Sequence, residues 1–366
     1  MRSRYTVAVI VLTVVYFIFF TQYSIQRTHV WYETRGTYGF DLEVFYYSLL
    51  NTIYGNGFFF NNLEFEMFNA TSHFGVHNSP VLILLLPLFE LAPKIETLLV
   101  LQSLFLALSI VMYYRFGLKV IGDERKSLIL AAVYALNPAL HGLNRFEFHP
   151  VSFAPLFIFL FAYFYEAHKF RTALVFAVLT LSVKEDAGLI LLALSVFYVL
   201  RSGTMNGQVV RFNVLISALA IFWMLISLVF VIPHFAPVYG QFRWFAPKVP
   251  IKLLSMLLLA MMLSFGLLPL LKPKYLLPFP ILLIEHLLFA NKTNLFIFWN
   301  HYEYMIITYL AIVTVYIVKE KNLSVKTLLY ALAITVLTFF ISSPAVYEGF
   351  PLVFGIKIPY SFLILY

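Results

Sequence analysis

The chain has no cysteine. That excludes disulfides, thiolate metal sites and cysteine nucleophiles. Charge is scarce as well: 11% of the 366 residues are Asp, Glu, Lys or Arg, against 62% hydrophobic. A soluble protein of this length could not bury so much apolar surface, so the composition indicates a polytopic membrane protein. Sustained alternation of apolar and polar residues is missing too, which excludes a membrane β-barrel. There is no Walker A loop, no Gly-rich dinucleotide motif and no Ser nucleophile elbow, so nothing supports a nucleotide-driven cytoplasmic mechanism. The net charge of +8 does not point to nucleic acid, because Lys and Arg in a membrane protein chiefly set its orientation.

What is present is a series of long apolar runs. They predict an all-α membrane protein with about eleven transmembrane helices. The expected spans lie near 5–24, 96–117, 127–142, 151–167, 172–184, 187–201, 212–232, 251–271, 275–290, 303–318 and 325–341. The first follows Met-Arg-Ser-Arg without a small-residue cleavage site and reads as a retained anchor. Several runs fall short of the roughly 20 residues of a standard span. The pair flanking Lys184 reads as one helix broken in the bilayer. Residues 79–92 are shorter still and fit a re-entrant or interfacial helix. On that reading Arg115, Lys119, Arg125 and Lys126 fall on the inner side, giving a cytoplasmic N-terminus, an extracytoplasmic C-terminus and a multi-pass protein of the cell membrane. Residues 1–366 form a single transmembrane domain, with a long first outer loop at 25–95 and no soluble C-terminal domain. Asp41 to Tyr54 in that loop repeats apolar residues at helical spacing and predicts a helix lying on the outer leaflet.

The acids and histidines fall in clusters, Asp41/Glu43, His73/His77, Glu147/His149 and Lys184-Glu185-Asp186, and the expected topology carries these four to the outer face. Asp41 opens the outer-leaflet helix, where it serves either as an N-cap or as a carboxylate ready to take a proton. His73 and His77 precede Asn78-Ser79-Pro80. At helical spacing both would share a face and suit a metal, but Gly75 and the stop favour a loop. In Asn144-Arg145-Phe146-Glu147-Phe148-His149-Pro150, an extended strand would set Arg145, Glu147 and His149 on one side and the two Phe on the other. Lys184-Glu185-Asp186 interrupts an apolar stretch, as a hairpin tip or as charges buried beside a site. Arg243 sits among aromatics, which suits an interfacial belt or a lipid phosphate. His301, between Asn300 and Tyr302, reads as belt unless it faces inward.

Gly39-Phe-Asp41-Leu, His73-Phe-Gly-Val-His77-Asn-Ser-Pro80, Phe146-Glu-Phe-His149-Pro150 and Lys184-Glu-Asp186 together resemble a family of predicted membrane proteins common in archaea and some bacteria. That family distantly resembles the GT-C glycosyltransferases, which include protein O-mannosyltransferases, oligosaccharyltransferases and the aminoarabinose transferases of lipid A. The resemblance implies a GT-C-like fold with juxtamembrane helices in the first outer loop. It implies a polyprenyl-phosphate-linked sugar as donor and a protein or glycan as acceptor. Asp41 matches the carboxylate central to catalysis in that superfamily, and Glu147, with His149 beside it, is nearest to the second acid. Lys184, Arg243, Arg145 and His77 are then candidates for the lipid phosphate. Glu185, Asp186 and His73 are candidates for a divalent ion, Mg or Mn. A transporter or flippase built on the same broken helices is the competing expectation, followed by a non-catalytic assembly subunit.

Overall fold

The computed structural model describes residues 4–202, 206–237, 250–288 and 300–355, and among these it contains helices and turns but no strand. Helix α1 (Arg4–Arg35) leads into α2 (Phe40–Ile53), α3 (Asn62–Phe68) and α4 (Val81–Leu91), which make up the first loop region. The bundle continues with α5 (Ile95–Ile121), α6 (Glu124–Ala135), α7 (Pro138–Arg145), α8 (Ala154–Glu166), α9 (Phe170–Leu181) and α10 (Gly188–Ser202). Then come α11 (Gly207–Ile226), α12 (Ile232–Phe235), α13 (Ile251–Ser264), α14 (Phe279–Leu282) and α15 (Ile284–Leu288). The last are α16 (Tyr304–Glu320), α17 (Val325–Ser342) and α18 (Phe350–Phe354).

Five stretches are long and apolar enough to cross a membrane: Arg4–Arg35, Ile95–Ile121, Gly207–Phe235, His301–Glu320 and Val325–Ser342. The remaining expected spans are shorter or broken. The run at 127–142 divides at Asn137-Pro138: the Asn137 side chain accepts from the Ala139 N–H, and proline, which has no N–H, starts α7. The run at 275–290 breaks into turns and short helices at Pro278 and Pro280, and Pro269 and Pro273 break the end of the run before it in the same way. Helix α4 is 11 residues long with Pro87 inside, about 16 Å against the roughly 30 Å of a bilayer core, and it packs against α2.

Burial sorts the long helices. The window of His301–Glu320 is 94% buried, whereas those of α1 and α17 are 33% buried and that of Gly207–Phe235 is 22%. Helix α16 is therefore the axis of the bundle, and the others turn apolar faces outward, as helices in contact with lipid do. Small polar residues join the inner layers. The Asn144 amide donates to Ser24 Oγ at 2.9 Å and Ser103 Oγ at 3.0 Å, tying α7 to α1 and α5. At one end of the bundle Glu320 receives Arg201 at 3.1 Å, together with Lys272 and Tyr275. At the other end Glu348 receives Arg145 at 2.6 Å and Tyr23 at 2.8 Å.

Candidate functional site

Helix α2 brings Asp41 to the site, and Glu147 holds the start of that helix. Asp41 lies in the first turn and does not cap it; the N-cap is Gly39, with φ 114° and no side chain to offer. The free N–H groups are met from outside: Leu42 donates to Glu147 Oε2 at 3.0 Å. A Cβ on Gly39 would overlap the Glu147 carboxyl, so the glycine permits this approach as well as the left-handed backbone. Burial pushes the Glu147 carboxyl above its ordinary range, opposed by the backbone N–H groups of Leu42 and Asp41 and by Arg27. Glu147 thus acts on Asp41 through the helix.

His149 is the partner of Asp41. Its Nε2 lies 3.4 Å from Asp41 Oδ2, and its backbone N–H donates to Gln102 at 2.9 Å. The imidazole is stacked on Phe146 at 5.3 Å and packs on His301 at 3.9 Å between ring centroids. Burial, then the neighbouring His77, Lys184 and His73, hold the imidazole well below its ordinary pKa, so it is neutral at pH 7. The expected alternation fails at Phe146. Arg145 ends α7 and the chain bends at Phe146 and Glu147, so the alternation does not run through the segment and Phe146 shares the side of His149. Arg145 itself turns to Glu348, away from the phosphate role expected of it.

The His73–His77 segment is a short 3-10 turn, and its two histidines part company. His73 Nδ1 lies 2.9 Å from Glu64 Oε1, with both side chains buried, and its Nε2 has no hydrogen-bond partner among the described residues. His77 Nδ1 lies 2.8 Å from Glu185 Oε1, and the Asn78 N–H donates to Glu185 Oε2 at 3.0 Å. Burial opposes the ionisation of Glu185, but His77 and Lys184 outweigh it and hold the carboxyl below its usual range. Lys184 Nζ reaches Asp186 Oδ2 at 2.9 Å and Glu285 Oε1 at 3.0 Å, and Tyr304 donates to Asp186 Oδ1 at 2.9 Å. Glu185 and Asp186 therefore point to different partners, and His73 to a third. Among the described residues no group of three His, Asp or Glu is placed to hold a metal ion. The set His73, Glu185 and Asp186 does not fit a divalent cation.

His77, Ser79, His149, Lys184 and His301 line one cavity with Phe45, Pro150, Val151 and Val183; its empty volume is ≈ 260 Å³, counting the open solvent at its mouth. Motifs more than a hundred residues apart thus meet at one place. Arg243 lies outside the described residues. Three contributors were not legible as site residues. Glu285 carries no local motif, Glu64 sits in a short helix far from any cluster, and His301 resembles an ordinary belt residue. Only their tertiary partners identify them: Glu285 meets Lys184, Glu64 meets His73, and His301, in the turn before α16, packs on His149.

No curated protein and no solved structure matches the chain. A family model does, and its matched region contains Asp41, His77, Glu147, His149 and Lys184. Residues 36–244 match the model described as predicted membrane protein (DUF2079), more than half of the chain, and the protein belongs to that family.

Proposed function

We propose that the protein is an extracytoplasmic glycosyltransferase of GT-C type, taking its sugar from a polyprenyl-phosphate donor in the outer leaflet of the cell membrane. The observation that carries this reading is the 3.4 Å approach of Asp41, from the first loop region, to His149, on the rim of a cavity that Lys184 also lines. Asp41 accepts the proton of the acceptor hydroxyl or amide. The acceptor atom then bonds to the anomeric carbon, and the bond from that carbon to the phosphate oxygen breaks. The polyprenyl phosphate leaves with the electron pair, its charge met by Lys184 and by His77. Neutral His149 packs beside the Asp41 carboxylate, its Nε2 without a hydrogen-bond partner among the described residues, and excludes water from one side of it. General-base help of this kind is worth about 10²–10⁴-fold. No step runs through a divalent ion.

The test is transfer from radiolabelled polyprenyl-phosphate sugars into lipid, glycan and protein fractions by the purified protein, beside Asp41→Asn. Transfer is expected from the wild type and should drop at least about a hundredfold in Asp41→Asn. Arms with Mg²⁺, Mn²⁺ or a chelator decide whether an ion contributes. The buried, charge-compensated break at Lys184 is also what a transporter or flippase would carry. Movement of the donor across vesicles without transfer would replace the enzyme with that reading. The absence of both would leave the assembly subunit.

A further inference from the structure

Among the described residues Lys184 is the one lysine or arginine that lines the cavity, and it is not free to meet an anion. Two of its three ammonium protons are directed at Asp186 and Glu285. All three side chains are buried, with exposures of 9%, 14% and 14%. With every group ionised, the triad carries one negative charge in excess. Among the described residues its neighbours do not correct the balance. Glu185 is held by His77, Tyr304 donates its only proton to Asp186, and Glu303 is held by His286 at 3.2 Å. The Tyr302 ring lies 5.7 Å from Nζ and the Trp223 indole N–H donates to the Lys184 carbonyl, so neither adds charge. His149 and His301 face the triad across the cavity and pack on each other. Two carboxylates sharing a single cation in a buried place cannot both stay ionised without cost, and one is driven toward its protonated form.

We propose that the cavity binds its anion together with protons: a phosphodiester reaching Lys184 displaces a caging carboxylate, and Asp186 or Glu285 takes up a proton as it is released. This rests on the glycosyltransferase reading for the nature of the anion and adds how its binding is controlled. The cation is silent until a phosphate and a proton arrive together, so the site rejects anions at high pH. The proton comes from solvent and stays on the carboxyl while Lys184 pairs with the phosphate; no bond in the ligand changes.

Calorimetry with a citronellyl methyl phosphate diester tests it, because that ligand keeps one fixed negative charge across the working pH. Titrations in buffers of unequal ionisation heat count the protons taken up. Dimethyl phosphate, the same head without the chain, separates a soluble anion from a lipid. Because one carboxyl is already driven toward its protonated form in the free site, uptake by the wild type should be fractional near pH 8 and approach about one proton per ligand near pH 9, with Kd weakening up to about tenfold per pH unit above pH 8. Asp186→Asn and Glu285→Gln should lower the uptake and bind about tenfold or more tightly than the wild type near pH 9. Wild-type binding without proton uptake overturns the caged lysine and leaves the glycosyltransferase reading standing. No binding of either diester, by the wild type or by either variant, overturns both.

Discussion

Glu147 is the residue through which the turn after α7 acts on Asp41. Its carboxylate meets the start of α2, where the helix N-terminus favours negative charge. Glu147→Gln keeps the shape and loses the charge. Because burial already disfavours the charge and the amide oxygen still accepts the Leu42 N–H, it should change stability by less than about 1 kcal/mol and reduce transfer less than Asp41→Asn does. Gly39→Ala should be worse on both counts, because its Cβ meets the Glu147 carboxyl and its φ of 114° is left-handed. Chemical unfolding in detergent beside the transfer assay separates the two effects. His149 gives the pH dependence. Its folded pKa lies well below the ordinary 6.5, so below that value the unfolded chain binds a proton that the folded chain refuses. Stability attributable to this residue is complete above pH 6.5 and falls by up to about 1.4 kcal/mol per unit as the pH drops toward the folded value. His149→Gln should flatten that acid limb in unfolding curves at pH 5 and pH 7.

Secondary elements decide how much of the site was legible. Helix α2 was readable, since Phe45 and Leu49 repeat at helical spacing and are buried as that pattern requires. The break at Lys184-Glu185-Asp186 was readable because three charges interrupt an apolar run, and it falls between α9 and α10 as expected. The partners of those charges were not readable. Glu285 and Tyr304 come from elements about a hundred residues later, and local pattern carries no such distance. Of the eleven expected spans, five are, among the described residues, helices long and apolar enough to cross a membrane, for a related reason: composition marks apolar stretches, but proline and capping residues decide where each stretch stops being helix. The segment Ala345–Gly349 shows what elements contribute to one another. It is a π-helical turn whose Glu348 gathers Arg145 from α7 with Arg27 and Tyr23 from α1. Glu348→Ala leaves two arginines without that carboxylate. It should cost about 1–3 kcal/mol, less than a fully buried pair because Glu348 is 34% exposed. Thermal unfolding checks this, and Glu348→Gln should recover part of the loss through the Tyr23 contact.

On the scale of the whole molecule, the ion pairs divide into two sets that do not mix. Asp41–His149, His77–Glu185, Lys184–Glu285 and Arg145–Glu348 all join groups that the loop charges assign to one side. Arg201–Glu320, Arg201–Glu166 and Lys272–Glu320 join groups assigned to the other. Among the described residues no ion pair crosses between the sets. A wrong assignment at one span would swap the sides of every later loop and force pairs across a bilayer core of roughly 30 Å, which no side chain spans. The division shows which of the described charged groups lie together but not which end faces the cytoplasm, and the basic cluster around Arg125 is what points to that. The chain's lack of cysteine makes the matter directly measurable, because a single introduced thiol is labelled without background. Asn56 and Arg125 are both exposed. In intact cells a membrane-impermeant maleimide should label Asn56→Cys at once and Arg125→Cys only after the membrane is opened. The reverse pattern would turn the molecule over and place the cavity of His149 and Lys184 in the cytoplasm, where an outer-leaflet donor could not reach it.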